Sequence, residues 1–208
     1  TNTFTGGTTI NAGTLGLGSA TALGTGTVTM AGGNLDNTSG SALTLTNNNT
    51  HNWTNAFTFV GSNDLTLGGG TVNITTDREI TVSAGTLAIG ATSWTNGGAY
   101  TFLKSGAGTL KLSGAASSFS FVNHAVSAGT LELASGYSND ALGIFAGFDF
   151  ISCATANNAT LLISGGQVTP LATYIGGGAS QGVSAATESG VINLTSGSLQ
   201  TRSVSVRN

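Results

Sequence analysis

Apolar residues in this chain come in pairs separated by one residue, and the pairs recur at a nearly constant distance. Leu43, Leu65, Leu87, Leu110 and Leu131 each open an apolar-x-apolar pair, and they stand 22, 22, 23 and 21 residues apart. A period of two puts both members of a pair on one face of a β-strand. Nothing recurs at three and four over a useful length, so the pattern is not helical. Finer steps lie within one long period. Leu65/Leu67, Val72/Ile74, Ile80/Val82 and Leu87/Ile89 begin 7, 8 and 7 residues apart. Three short strands, three turns and a return to the same register predict one coil of a parallel β-helix, an all-β solenoid with a coil of about 22 residues. The five leucines then form a ladder inside the tube. The period and the strand spacing predict about nine coils and a rod roughly 45 Å long.

The turns carry their own signature. A small-residue turn followed by Gly-Thr and an apolar pair appears at Ala12 to Leu17, Ala84 to Ile89, Ala107 to Leu112 and Ala128 to Leu133. Looser copies are Gly26 to Met30, Gly70 to Ile74 and Val191 to Leu194. Glycine supplies the positive φ angles of tight corners. Composition fits this picture: 33 residues are Gly, one is Pro and only 6% are charged, against roughly 25% in an average soluble protein. The outward positions are therefore left to Thr, Ser and Asn. Burying about six apolar side chains per coil, at ~1.5–3 kcal/mol each, offsets the ordering cost only when coils stack.

Residues 1–136 read as six or so regular coils. The period breaks between Gly136 and Asn158, where Tyr137 to Asp140 and the aromatic-rich Ile144 to Ile151 interrupt it. Leu161 and Ile192 are 31 apart, so residues 137–208 are expected to continue the solenoid with longer loops, or to form a separate subdomain. The Gly-, Ser- and Ala-rich stretch from Gly176 to Glu188 is the candidate protruding loop.

Lys104 to Gly114, Lys-Ser-Gly-Ala-Gly-Thr-Leu-Lys-Leu-Ser-Gly, resembles the first half of the autotransporter-associated β-strand repeat, and Asn2 to Leu15 resembles its second half. The resemblance covers 1–18 and 104–133 well, and 61–90 loosely through Asn63 to Leu67 and Arg78 to Val82. It implies a large bacterial secreted or surface protein with a right-handed parallel β-helix, and it implies no chemistry. Residues 115–127 depart from the repeat's Thr-rich Gly-Gly turn, so that corner is expected to be reshaped.

Charge removes several function classes. The formal net charge is −3, and no basic patch could neutralise several phosphates or anionic lipids, so nucleic acid is not an expected partner. Apolar runs are short, so no membrane-spanning helix is expected. The single cysteine, Cys153, cannot form an internal disulfide and reads as a small buried residue.

Five features could hide chemistry. Asp77-Arg78-Glu79 is the only charge cluster, and a carboxylate pair could serve acid/base work on sugars. Stepping 22 residues from Asp77 reaches Asn55 and Ala99, and from Glu79 Phe57 and Thr101, so the carboxylate ladder of a metal-assisted lyase is missing. An exposed, self-paired turn is the preferred reading. Gly178 to Gly182 matches G-x-S-x-G but lacks the strand-turn-helix context of a nucleophile. His51 and His124 are single and read as exposed turn residues rather than metal ligands. Asn63 to Gly70 is a lone, incomplete calcium-type nonapeptide. Six Asn-x-Ser/Thr sequons, including Asn37, Asn48 and Asn73, reflect composition rather than glycosylation. No catalytic, cofactor-binding or metal-ligating residue is assigned.

The expected function is structural: a secreted or cell-surface element, bacterial in character, of a filament, appendage or adhesin stalk. The rivals are a carbohydrate-active β-helix enzyme and a module whose outer Thr/Asn face or late loops bind surface glycans. The chain begins at Thr1 inside a repeat, which reads as a mature form or a fragment, and Ser203 to Val206 still alternates like a strand. Both ends are expected to be covered, by further repeats or by identical subunits stacked head to tail.

Overall fold

The computed structural model describes residues 2–91, 93–96, 100–114, 123–139, 150–153, 159–168, 172–175, 190–199 and 204–206. The first coils contain β1 (Thr8–Ile10), β2 (Thr14–Leu17), β3 (Val28–Met30), β4 (Asn34–Asn37) and β5 (Leu43–Thr44). The next add β6 (His51–Trp53), β7 (Phe57–Phe59), β8 (Leu65–Thr66), β9 (Thr71–Ile74), β10 (Arg78–Val82) and β11 (Thr86–Ile89). Then come β12 (Ser93–Asn96), β13 (Thr101–Ser105), β14 (Thr109–Leu112), β15 (Asn123–Val126), β16 (Thr130–Ala134) and β17 (Ser138–Asn139). The last are β18 (Phe150–Cys153), β19 (Ala159–Val168), β20 (Ala172–Ile175), β21 (Gly190–Leu199) and β22 (Val204–Val206).

These strands stack into three parallel sheets. Among the described residues the first is β1-β3-β6-β9-β12 and the second is β2-β4-β7-β10-β13-β15-β18-β20-β22. The third runs β5-β8-β11-β14-β16-β19-β17, with β21 added on β19. The chain is a β-solenoid. Its three-sided part makes about five turns, the depth of the first sheet, and the second sheet extends to nine levels. The sequence period expects about nine coils, the later ones with longer loops. Among the described residues the later levels contribute strands to the second and third sheets.

The leucine ladder forms in the expected register. Leu43 pairs with Leu65, Leu65 with Leu87, Leu87 with Leu110 and Leu110 with Leu131, and the column continues to Leu161 and Ile192 across the break in the period. Leu65, Leu87, Leu110, Leu131 and Leu161 are at most 1% exposed, whereas Leu43, near the start of the column, is half-buried. One coil shows how alternation fills the tube. Val72, Ile74, Ile80, Val82, Leu87 and Ile89 point inward and none is more than 1% exposed, while Asn73, Thr81 and Ala88 lie between them on the outside. Those six apolar side chains are the number the sequence predicts for a coil.

The Ala-Gly-Thr turn at Gly13 leads into β2 of the second sheet and those at Gly85, Gly108 and Gly129 into β11, β14 and β16 of the third, and these turns are closed by two routes. Gly13, Gly85 and Gly129 have φ of +73°, +58° and +65°, which only glycine adopts at little cost. In the copy at 106–109 the positive φ of +79° sits on Gly106 instead, and a Cβ on Gly108 would lie 2.7 Å from the Val82 side chain. The first of these glycines is needed for conformation, Gly108 for closeness between coils.

Leu87→Asp would place an uncompensated carboxylate between Leu65 and Leu110 and should lower stability by several kcal/mol. Ala88→Asp, one residue away on the outer face beside Lys111, should change it by roughly 0.5 kcal/mol or less. Denaturant unfolding of the two variants checks the register; equal effects would refute it.

Candidate functional site

The charge cluster is not an exposed turn, as the sequence reading expected. Arg78 opens β10 at an inward position in phase with Ile80 and Val82 and is 5% exposed. Its backbone lies opposite Phe102 of β13, and one terminal nitrogen, Nη2, donates to the Thr76 hydroxyl at 2.7 Å. Its Nε has no hydrogen-bond partner among the described residues. Burial lowers its pKa, and the charge of Asp77 partly restores it. Asp77 and Glu79 stay exposed. Glu79 lies opposite Leu103, not Thr101, because the coil here takes 24 residues rather than 22. Its carboxylate accepts the Ser105 hydroxyl at 2.6 Å, and Ser105 and Thr81 share a hydrogen bond of 2.9 Å.

His51 also differs from expectation. It lies in β6, stacked between Val28 and Val72, and is 3% exposed. The strand phase explains it: His51 and Trp53 are two apart and both face inward. Neither ring nitrogen has a hydrogen-bond partner of normal geometry among the described residues. Burial pushes its pKa down to about 4, and the nearby Leu67 backbone opposes this only weakly. Beyond it the core is aromatic. Trp53 makes edge contacts with Phe57 at 5.3 Å and Trp94 at 5.5 Å, and stacks on Phe102 at 6.4 Å. The other histidine, His124, has its backbone in β15 opposite Phe102, in a strand and not a turn; its side chain lies outside the described residues.

Lys104 escaped the sequence reading as anything but a motif residue. It occupies the inward column between Ile80 and Val126 and is 0% exposed. Its ammonium reaches the corner after β13 and donates to the carbonyls of Ser105 at 2.9 Å, Gly106 at 2.5 Å and Ala128 at 2.9 Å. The last bond joins two successive coils. Burial pushes its pKa down to about 8. The signal was present in the spacing, because Phe102 and Lys104 are two apart and share a phase.

The remaining polar candidates stitch coils together. Asn37 is fully buried, and its amide donates to the carbonyls of Ser41 and Asp64, both at 2.7 Å. Asn48 has a φ of +47° and accepts the Gly69 N–H at 2.8 Å. Asn63 donates to the Asn37 carbonyl at 3.0 Å, and Asp64 accepts the Thr86 N–H at 2.7 Å. On the third sheet Lys111 and Glu132 form an ion pair of 2.8 Å, and the Ser164 hydroxyl also donates to Glu132. Burial pushes the Glu132 pKa up, but these two hydrogen bonds and the Lys111 charge outweigh it and leave it lowered. On the second sheet Thr14, Asn34, Thr58, Thr81 and Ser105 form one neutral outward column.

Gly178 to Gly182 and the Gly176 to Glu188 stretch lie outside the described residues, as does the Cys153 side chain; the backbone of Cys153 pairs with Val126 and Ile175. No group of three His, Cys, Asp or Glu that could hold a metal is present among the described residues. Among them no helix is long and apolar enough to cross a membrane. Compared with protein-family models, with curated proteins and with solved structures, the chain matches none.

His51 links stability to acid. Its pKa is lower folded than unfolded, so between about 4 and 6.5 the unfolded chain holds a proton that the folded chain lacks. Stability should therefore be intact above pH 6.5 and fall by roughly 3 kcal/mol as pH drops to 4. His51→Leu should remove that part of the slope, checked by denaturant unfolding from pH 7 to 4. Lys104 should resist amine acylation in the folded chain while Lys111 reacts, and label only on unfolding; mass spectrometry after limited labelling reads this.

Proposed function

We propose that the chain is a structural element of a secreted or cell-surface assembly, a rigid β-solenoid that serves as part of a filament, appendage or adhesin stalk. The observation that carries this reading is the division of labour within each coil. Backbone and apolar columns run from coil to coil inside, while outward side chains bond to the next coil, as Asn73 does to Asn52, Thr81 to Ser105 and Lys111 to Glu132. The side chains with most chemical potential support it too. Arg78 and Lys104 are buried, and Lys104 clamps one coil to the next. Glu79 lies opposite Leu103 on the paired strand β13, not opposite a second carboxylate. In this reading the partners are further coils, from the same chain or from identical subunits docked end to end. The low charge weakens repulsion between copies.

Electron microscopy with sedimentation over a concentration series tests it. Rods that lengthen end to end with concentration are expected. A chain that stays a compact monomer at high concentration would sink the assembly. Asp77→Ala with Glu79→Ala should leave both folding and assembly intact. A polysaccharide-cleaving activity that vanishes with this pair would replace the structural reading with an enzyme.

A further inference from the structure

The outer face of the first sheet differs from the other two. Between its inward residues lies the column Thr9, Thr29, Asn52, Asn73 and Thr95, in continuous one-to-one register. A second column takes the positions two residues earlier: Gly7, Thr27 and Thr50, each just before its strand, then Thr71 and Ser93 at the starts of β9 and β12. Four of the five levels thus read Thr/Ser-x-Thr/Asn. Residues 7–11, 27–31, 50–54, 71–75 and 93–96 contain no Asp, Glu, Lys or Arg. The second face carries Glu79 and the third Lys111 and Glu132. The array is held in place by its own bonds. The Asn73 amide donates to the Asn52 side-chain oxygen at 2.7 Å, and the Thr95 hydroxyl donates to Asn73.

We propose that this face binds ice, a flat and uncharged lattice of hydrogen-bonded water. The dimensions carry the argument. Successive strands stand about 4.8 Å apart, and two columns two residues apart in extended chain about 6.6 Å. Tetrahedral water with oxygens about 2.75 Å apart has second neighbours about 4.5 Å apart and an axial repeat of about 7.3 Å. The mismatch along the rod is about 0.3 Å per level, or about 1.2 Å over four steps, well under half a repeat. Five levels therefore stay in step with the lattice. A preorganised array loses little conformational freedom on binding. Other ligands fit worse. An uncharged face has no attraction for phosphate or acidic polymers. His51, Trp53 and Trp94 turn into the core, so no ring from these strands is left to stack on a sugar. This goes beyond the structural role and does not depend on assembly.

The test is partition of the whole chain into slowly growing ice, with thermal hysteresis as a second readout. The parent chain should enrich in the ice and depress its growth temperature. Thr29→Lys with Thr71→Lys, on the face, should cut enrichment at least tenfold. Thr66→Lys with Thr109→Lys, on the third face, should leave it unchanged. Melting curves confirm that each variant folds; if the first pair does not, Thr29→Tyr with Thr71→Tyr keeps strand propensity and gives the same steric block. Exclusion of the parent chain from ice, equal loss in both pairs, or retention on crystalline cellulose without retention on ice would each overturn the proposal.

Discussion

The structure depends on the register between successive coils. In a parallel ladder every backbone donor and acceptor of one strand is satisfied by the coil above or below, and a side chain stands on the same side chain position of its neighbour. Leu87 between Leu65 and Leu110 shows the consequence. A slip of one residue would turn that whole column outward. Backbone pairing and apolar burial therefore specify the same arrangement, and neither is available to a single coil alone.

That constraint also explains how polar groups enter the tube. Once the register is set by the apolar columns, any residue in phase with them is carried inside, whatever its chemistry. Lys104 is accommodated because the corner offers three carbonyls to its ammonium. Arg78 keeps one terminal nitrogen bonded while its Nε goes without a partner. His51 has no comparable partner: its neutral ring leaves both nitrogens unbonded in the core, and acid adds the cost of a buried charge.

Outside the tube the same register makes surfaces rather than pockets. Outward residues inherit the spacing of the strands, so a Thr/Asn column becomes a regular array without further design. The corners vary more than the faces. Coil length is 24 residues between Ile80 and Lys104 but 22 between Lys104 and Val126, and the difference is absorbed in turns. A structural rod and a lattice-binding face are compatible uses of one geometry.

The period-two alternation and its recurrence at Leu43, Leu65, Leu87, Leu110 and Leu131 determined the fold class, the third sheet's register and the number of apolar side chains per coil. These were legible because strand phase is local and the leucines recur at a nearly constant step. The other columns were not, since a fixed step of 22 residues misplaces Glu79 by two positions once a corner lengthens. Nor could residue type alone place His51, Arg78 or Lys104, which are polar and so were read as exposed or as motif residues. Only the tertiary structure decided their burial, because the inward direction at each strand is set by the neighbouring coils. The Thr/Asn outer face of the first sheet likewise exists only after folding, when residues some 20 to 23 apart in the chain are brought side by side.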